Sequence, residues 1–367
     1  TYFPYLTLNN LDEISFYDIK VWNLDKKAEQ YIADSQLRTK VELLLRSNLK
    51  DDSSLKGIGV LSIGNTDFHH FTADEFKTAN ETRLVMFLAF LARNNVNMYG
   101  PNAGHYVATS ENFTFVVQNF EQDSDFIAQQ NGFLVRKLDG GYKIGELKFY
   151  APPYVTSPMK FSFDEDLITS LLKIKKRNKR LYERIIRATD LLFESYFNDP
   201  YVSLNARLLL QVGAFEILLD LPDSGQRKDF KEQIKKYTVR AKERARKYYS
   251  ERQDGKKVIE QEPLKVVWAD KFYTLRNHVI HGEKVKMREF VFLNRQSHLD
   301  IAPMFFVLLV KELINEKLRL KSKYFHDEIV WKKPKDEYEG TEGFWYEDSS
   351  IDRRIARSIR SSKQIRK

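Results

Sequence analysis

Apolar residues recur near helical spacing over residues 26–49, at Ile32, Leu37, Val41, Leu44 and Leu45, and this pattern predicts one helix there. Gly57-Ile58-Gly59-Val60-Leu61-Ser62-Ile63 has the composition of a strand, ended by Gly64-Asn65. Thr72 or Asp74 is placed to cap a following helix that runs through Leu84–Leu88. The run from Asn112 to Asn119 predicts a second strand. Gly132–Arg136 and Tyr142–Tyr150 predict a hairpin turning at Asp139-Gly140-Gly141. Ala151-Pro152-Pro153 then breaks the pattern, and a linker is expected as far as Pro158.

Beyond Phe163 the strand signals disappear. Asp164 to about Asn198 reads as one long helix or two, with Leu167, Leu171, Ile174, Leu181, Ile185, Leu192 and Phe193 on the apolar repeat and Pro200 as the stop. Leu204, Leu208, Val212, Phe215 and Leu219 mark an amphipathic helix that ends before Pro222. Gln226 to about Arg252 predicts a third, charge-rich helix. Pro263 opens a fourth, carrying Trp268, Phe272, Leu275 and Val279. His298–Leu320 predicts a fifth. Its stretch Met304–Val310 is apolar all round, as in a central bundle helix or one partly committed to a subunit interface. The expected architecture is α+β: a mixed α/β domain over residues 1–155, an all-α helical bundle over 160–325, and a polar, basic tail over 326–367. The sequence contains no internal repeat.

Charge divides the chain the same way. Residues 1–160 carry 16 Lys+Arg against 19 Asp+Glu, and the remainder carries 44 against 32, so the overall +9 belongs to the second half. A polyanion such as nucleic acid is the natural partner of such a surface, although a solvated helical face accounts for the same charge. The absence of cysteine excludes disulfides, thiolate metal sites and a cysteine nucleophile, and fits a reducing cytoplasm. The first residues show no signal-peptide pattern, and the longest apolar run is too short to span a bilayer, so no membrane association is expected.

The most informative stretch is Tyr273-Thr274-Leu275-Arg276-Asn277-His278-Val279-Ile280-His281-Gly282-Glu283. It closes the fourth helix, with Gly282 placed as a C-terminal cap. Asn277 and His281 are four apart and share a face. Arg276 lies five before His281, roughly 140° away on an ideal helix. The two converge on one phosphate if the helix loosens at its end, or if two copies of the motif meet across an interface. These residue types suit RNA cleavage without a metal. A histidine can take the proton of the attacking 2′-hydroxyl or return one to the leaving 5′ oxygen. An arginine fork can stabilise the charge gathered on phosphorus. Asn277 can orient His281 or hold a phosphate oxygen. The competing structural reading is a His281 that merely caps a helix and an Arg276 that makes an ion pair.

Arg276-Asn277-x-x-x-His281-Gly282, with its aromatic-Thr-Leu lead-in, resembles the signature of HEPN domains, and most closely the Apea-like subgroup of bacterial defence proteins. The run Ala214-Phe215-Glu216-Ile217-Leu218-Leu219 is similar to that family's apolar helix with an embedded glutamate. The resemblance covers roughly residues 165–320. It implies a helical bundle and a metal-independent endoribonuclease with Arg276, Asn277 and His281 as catalytic residues. It also implies a homodimer or higher oligomer whose two motifs form one composite site. The corresponding role is a toxin or antiphage (abortive infection) effector, restrained by the N-terminal domain until a phage-derived trigger arrives. The alternative within the same resemblance is a non-catalytic module that binds nucleic acid or protein. No cofactor or metal is expected.

Several weaker signals complete the picture. Residues 226–257 hold 13 Lys+Arg against 5 Asp+Glu. Lys235, Lys236, Arg240, Arg244, Arg246 and Lys247 are the densest group and the candidate RNA contacts. Tyr237, Tyr248 and Tyr249 are interleaved and suited to stacking on unpaired bases. Lys173–Arg180 and the tail from Arg353 to Lys367 are similarly basic. Glu216 is expected to bridge to Arg276 or to bond elsewhere in the bundle, and His278 to be a bystander that faces the core. Asp67-Phe68-His69-His70 is poor as a metal site, and Gly57-x-Gly59 lacks the rest of a dinucleotide-binding loop.

Overall fold

The structure is a computed structural model that describes residues 1–8, 12–16, 19–50, 53–54, 58–63, 72–94, 110–120, 126–131, 142–143, 149–150, 160–161, 163–196, 202–239, 245–251, 256–293 and 296–319. These residues form a mixed α/β protein that divides into two compact units. The first takes in most residues up to Ile168 together with Tyr196 and Val202. The second takes in Thr169–Ser195 and the chain from Ser203 onward. The 67–70 cluster, Gly57, the 139–141 turn, the 151–158 linker and the basic tail lie outside the described residues.

The first unit is built on a seven-stranded sheet in the order 142–143, 126–131, 116–120, 2–3, 59–63, 19–23, 13–16, with every neighbouring pair antiparallel. Tyr142–Lys143 does enter a ladder, but its partner is Phe126–Ile127, while 132–136 lies outside the described residues. The strand expected from Asn112 starts at Val116, because Ser110–Phe113 winds into a 3-10 turn. The single helix expected over 26–49 is two, α1 (Leu24–Tyr31) and α2 (Ser35–Arg46). Asp34 makes the break. Its carboxylate accepts from the backbone N–H of Gln36 (2.8 Å) and Leu37 (3.0 Å), satisfying donors that a continuous helix would have used internally. Tyr2, Trp22, Leu24, Ala28, Leu44, Leu45, Ile58 and Val116 form a core cluster between these helices and the sheet. The long α3 (Ala73–Asn94) opens on a reciprocal cap between Thr72 and Glu75 and is buried from Leu84 to Leu91.

The second unit contains α4 (Glu165–Arg177, in part), α5 (Lys179–Glu194), α6 (Leu204–Leu219), α7 (Gln226–Thr238), α8 (Leu264–Ile280) and α9 (His298–Leu318). Asn178 separates α4 from α5 and caps α5 through Leu181 N–H at 3.0 Å. The core is aromatic. Trp268 stacks on Phe272 (4.8 Å between centroids) and on Phe305 (4.4 Å), while Phe215 meets Phe230, Trp268, Phe272 and Phe306 edge-on. The apolar run of α9 has Phe305, Phe306, Val307, Leu309 and Val310 buried, as expected of a central helix. Pro303 lies inside α9 and has no N–H to give the carbonyl four residues back, that of Leu299. The buried Gln211 of α6 supplies the missing donor through Nε2 at 3.2 Å.

The second unit is not all helix. The helix expected over 226–252 ends at Thr238. Ala245–Glu251 is a strand, paired antiparallel with Lys257–Pro263. The reason is visible in side-chain placement. Tyr248 and Ser250 are buried while Lys247 is exposed, an alternation that suits a strand with one covered face and no helix. A short second pair, Val291–Leu293 with Gln296–Ser297, precedes α9.

Candidate functional site

α8 begins directly after Pro263, which stands at its N-cap, and ends in a Schellman motif. Gly282 N–H bonds to Val279 C=O (3.1 Å) and Glu283 N–H to His278 C=O (2.9 Å). Gly282 has φ +74°, a conformation that disfavours a side chain, so the glycine after the histidine has a backbone reason. His281 is thereby fixed at the C-cap of α8.

Arg276 lies on the side of α8 that meets α6. Its Nη2 is 3.2 Å from Glu216 Oε1, its Nη1 donates to Asn277 Oδ1 at 3.1 Å, and its guanidinium lies 5.2 Å from the centre of the Tyr273 ring. The Tyr273 hydroxyl donates to the same Glu216 oxygen at 2.5 Å and lies 2.7 Å from Gln226 Oε1, at the start of α7. Burial, with the Glu216 carboxylate beside it, pushes the Tyr273 phenol far above its ordinary range, so it remains a donor. Two helices therefore hold one guanidinium, and a third, through Gln226, contacts the Tyr273 hydroxyl. The expected Glu216–Arg276 bridge is present. Tyr273 and Gln226 were not assigned this role from sequence, because a contact spanning 47 residues has no local signal.

His281 is exposed, and its ring has no hydrogen-bond or ion-pair partner among the described residues. No hydrogen bond joins its side chain to Arg276 or Asn277. Within one chain the motif shares a helix end but does not converge on one point. A capping histidine and an ion-paired arginine, the competing structural reading, both describe the geometry. His278 is half-buried and does not enter the core. Its Nε2 faces Glu251 Oε1 at 3.4 Å and Glu283 Oε2 at 3.9 Å, so it joins the end of α8 to the end of the strand Ala245–Glu251.

The six candidate RNA contacts do not lie on one helix. Lys235 (α7) is bound to Glu262 at 2.9 Å, which raises its pKa, and Lys236 lies 2.8 Å from Tyr237 Oη, which does the same, and 3.6 Å from Glu316. Arg240 and Arg244 lie outside the described residues, as does the side chain of Arg246, whose backbone sits opposite Glu262. Lys247 alone is exposed without a described acidic partner. Of the three tyrosines, Tyr248 is buried and donates to Glu260 (2.8 Å), and Tyr237 donates to Glu316 (2.7 Å); only Tyr249 sits on the strand's outer register.

Among the described residues no group of His, Asp and Glu side chains is placed to hold a metal ion, and no helix is long and apolar enough to cross a membrane. Comparison with protein-family models, with curated proteins and with solved structures gives no match.

Proposed function

We propose that the chain is a metal-independent endoribonuclease of HEPN type, with its helical bundle in the second unit. The observation that carries this reading is the end of α8. There Arg276 and Asn277 precede a capping, solvent-open His281, and Glu216 of α6 holds the arginine in place. In the proposed reaction His281 accepts the 2′-hydroxyl proton. The 2′ oxygen attacks phosphorus, the bond to the 5′ oxygen breaks, and the imidazolium so formed returns its proton to that oxygen as it leaves. The products are a 2′,3′-cyclic phosphate and a 5′-hydroxyl. Arg276 stabilises the charge on phosphorus, and Asn277 orients His281. Arg276 and His281 point roughly 140° apart around α8. A homodimer or higher oligomer that pairs the Arg276 of one copy with the His281 of another brings them to one phosphate.

The test is incubation of the purified protein with a mixed RNA pool in EDTA, beside His281→Ala, and analysis of the product ends. Cyclic-phosphate ends from the native chain, reduced roughly 10²–10⁴-fold by the substitution, support the proposal. Cleavage that His281→Ala leaves unchanged overturns it. The second reading, a non-catalytic HEPN module, is favoured by the ion-paired state of Arg276 and predicts RNA or protein binding that His281→Ala does not touch. We propose further that the chain acts in the cytoplasm as a toxin or antiphage effector, with its first unit restraining the nuclease until a phage-derived trigger binds. RNA cleavage that is equal with and without extract of phage-infected cells would remove that idea.

A further inference from the structure

The hairpin formed by residues 245–251 and 257–263 has two chemically different faces. Its inner face is gripped by the helices. Lys231 of α7 bonds to Tyr248 Oη (3.1 Å) and Glu260 (2.7 Å). Arg227 bonds to Asp270 (2.8 Å) and to Ser250 Oγ (3.0 Å), and Lys235 bonds to Glu262 (2.9 Å). Lys271 of α8 donates to the Tyr249 carbonyl, and Arg227 to that of Glu251. Asp270 itself is buried. Lys231 and Lys235, which a charge count assigns to a polyanion, are here bound to acids of the protein's own hairpin.

The outer face is different. Strand alternation puts Lys247, Tyr249, Lys257, Ile259 and Gln261 on it, with Lys247 opposite Gln261 and Tyr249 opposite Ile259. Lys247, Lys257 and Gln261 are exposed, and Ile259 is 56% exposed. Neither lysine has an acidic partner within ion-pair distance among the described residues. The residue across from Lys257 is Glu251, whose carboxylate is turned to His278 at 3.4 Å. Two free cations thus lie about 13 Å apart along the hairpin with an aromatic ring and an aliphatic side chain between them. That alternation of charge and flat apolar surface suits a single strand of nucleic acid, whose phosphates alternate with bases able to stack.

The hairpin also points somewhere. The contact between Glu251 and His278 sets its far end against the last turn of α8. His281 follows His278 by three residues, about 4.5 Å along the axis and about 60° round it. We propose that the outer face of the hairpin is a track for single-stranded RNA that delivers the chain to His281. This rests on the ribonuclease reading for its destination, but its own test reads binding.

The full chain carrying His281→Ala, so that RNA stays intact, is titrated into a fluorescent single-stranded RNA at several salt concentrations. Adding Lys247→Gln and Lys257→Gln together is expected to weaken binding about tenfold and to lower the salt slope by about 1.4, the release from two phosphate contacts. Adding Tyr249→Leu is expected to cost about tenfold with little change in slope. Lys26→Gln, on an exposed lysine of α1, is the control and leaves both values in place. Unchanged thermal melting shows that the variants are folded. Affinity and slope equal to the parent's overturn the track, as does a parent that binds no RNA. If the native chain makes cyclic-phosphate ends while the hairpin variants bind normally, the track falls and the nuclease stands. If the hairpin variants lose RNA that the native chain binds but does not cleave, the nuclease falls and the track stands.

Discussion

Replacing Glu216 by Gln tests how the candidate arginine is held. The substitution keeps the side chain's size and removes its charge. It takes away the ion pair to Arg276 Nη2 at 3.2 Å and the charged acceptor of the Tyr273 hydroxyl. Glu216 and Arg276 are 20% and 21% exposed, which places the pair between two regimes. Fully exposed pairs contribute about 0.2–1 kcal/mol, and charged hydrogen bonds in the interior contribute about 1.5–3 kcal/mol. An intermediate value of about 1–2 kcal/mol follows, equivalent to a fall in Tm of roughly 2–8 °C for a unit of this size. Tyr273 softens the loss, because its hydroxyl retains Gln226 as a neighbour at 2.7 Å. A double-mutant cycle isolates the pair. Glu216→Gln, Arg276→Gln and the combination are compared by urea unfolding, and the coupling is expected to be at least about 1 kcal/mol. RNA cleavage is measured on the same proteins, with Glu216→Gln expected to lower the rate about tenfold through a mispositioned guanidinium. Additive unfolding energies, within about 0.3 kcal/mol, would mean that Glu216 does not hold Arg276. A normal rate in Glu216→Gln would mean that the hold has no bearing on the chemistry.

Three other outcomes follow from the structure. Gly282→Ala meets no atom within 4 Å of its new Cβ, so its cost is the left-handed backbone alone, about 1 kcal/mol by thermal melting, and a neutral result would refute the Schellman end of α8. Gln211→Leu leaves the Leu299 carbonyl without its donor and is expected to cost about 1–3 kcal/mol; the loss should shrink in a Pro303→Ala background, where residue 303 regains its own N–H. Burial, helped by the charge of Lys271, pushes His298 down to about 3, so the unfolded chain takes up a proton near pH 6.5 that the folded protein refuses. Stability is therefore expected to fall as the pH drops from about 6.5 toward 3. His298→Phe, beside Phe272 and Phe292, should flatten the part of that fall above pH 4.5 in urea titrations.

Much of the helical half was legible because its signals are local. The four-four-three-four spacing of Leu204 to Leu219 becomes α6, and the apolar stretch Met304–Val310 becomes the buried α9. Gly282 declared the end of α8 because only a left-handed residue closes a helix that way. Two readings failed, for different reasons. Asp34 split a helix whose apolar repeat runs across it, and the charged stretch after Thr238 became a hairpin. The hairpin did have a signal. Asp254-Gly255 in the sequence stands between Tyr248-Tyr249 and Val258-Ile259, a turn pair flanked by strand formers. The density of Lys, Arg and Glu around it favoured a helix, and charge density carries no period.

The same charge shows why a surface cannot be counted from a segment. Lys231, Lys235 and Lys236 contribute to the positive balance of residues 226–257, yet their partners Glu260, Asp270, Glu262 and Glu316 all lie beyond that window. A lysine already neutralised by a carboxylate has no charge free for a phosphate, and its encounter with RNA releases no counterion until that pair breaks. Net charge over a window therefore overstates the electrostatic footprint wherever the fold returns acids to it. The salt dependence of RNA binding separates the two pictures. If the segment acts as a uniformly basic patch, Lys235→Gln and Lys247→Gln each lower the slope by about 0.7. If the fold partitions the lysines as the ion pairs indicate, only Lys247→Gln does so, and Lys235→Gln instead loosens the hairpin through Glu262 without touching the slope.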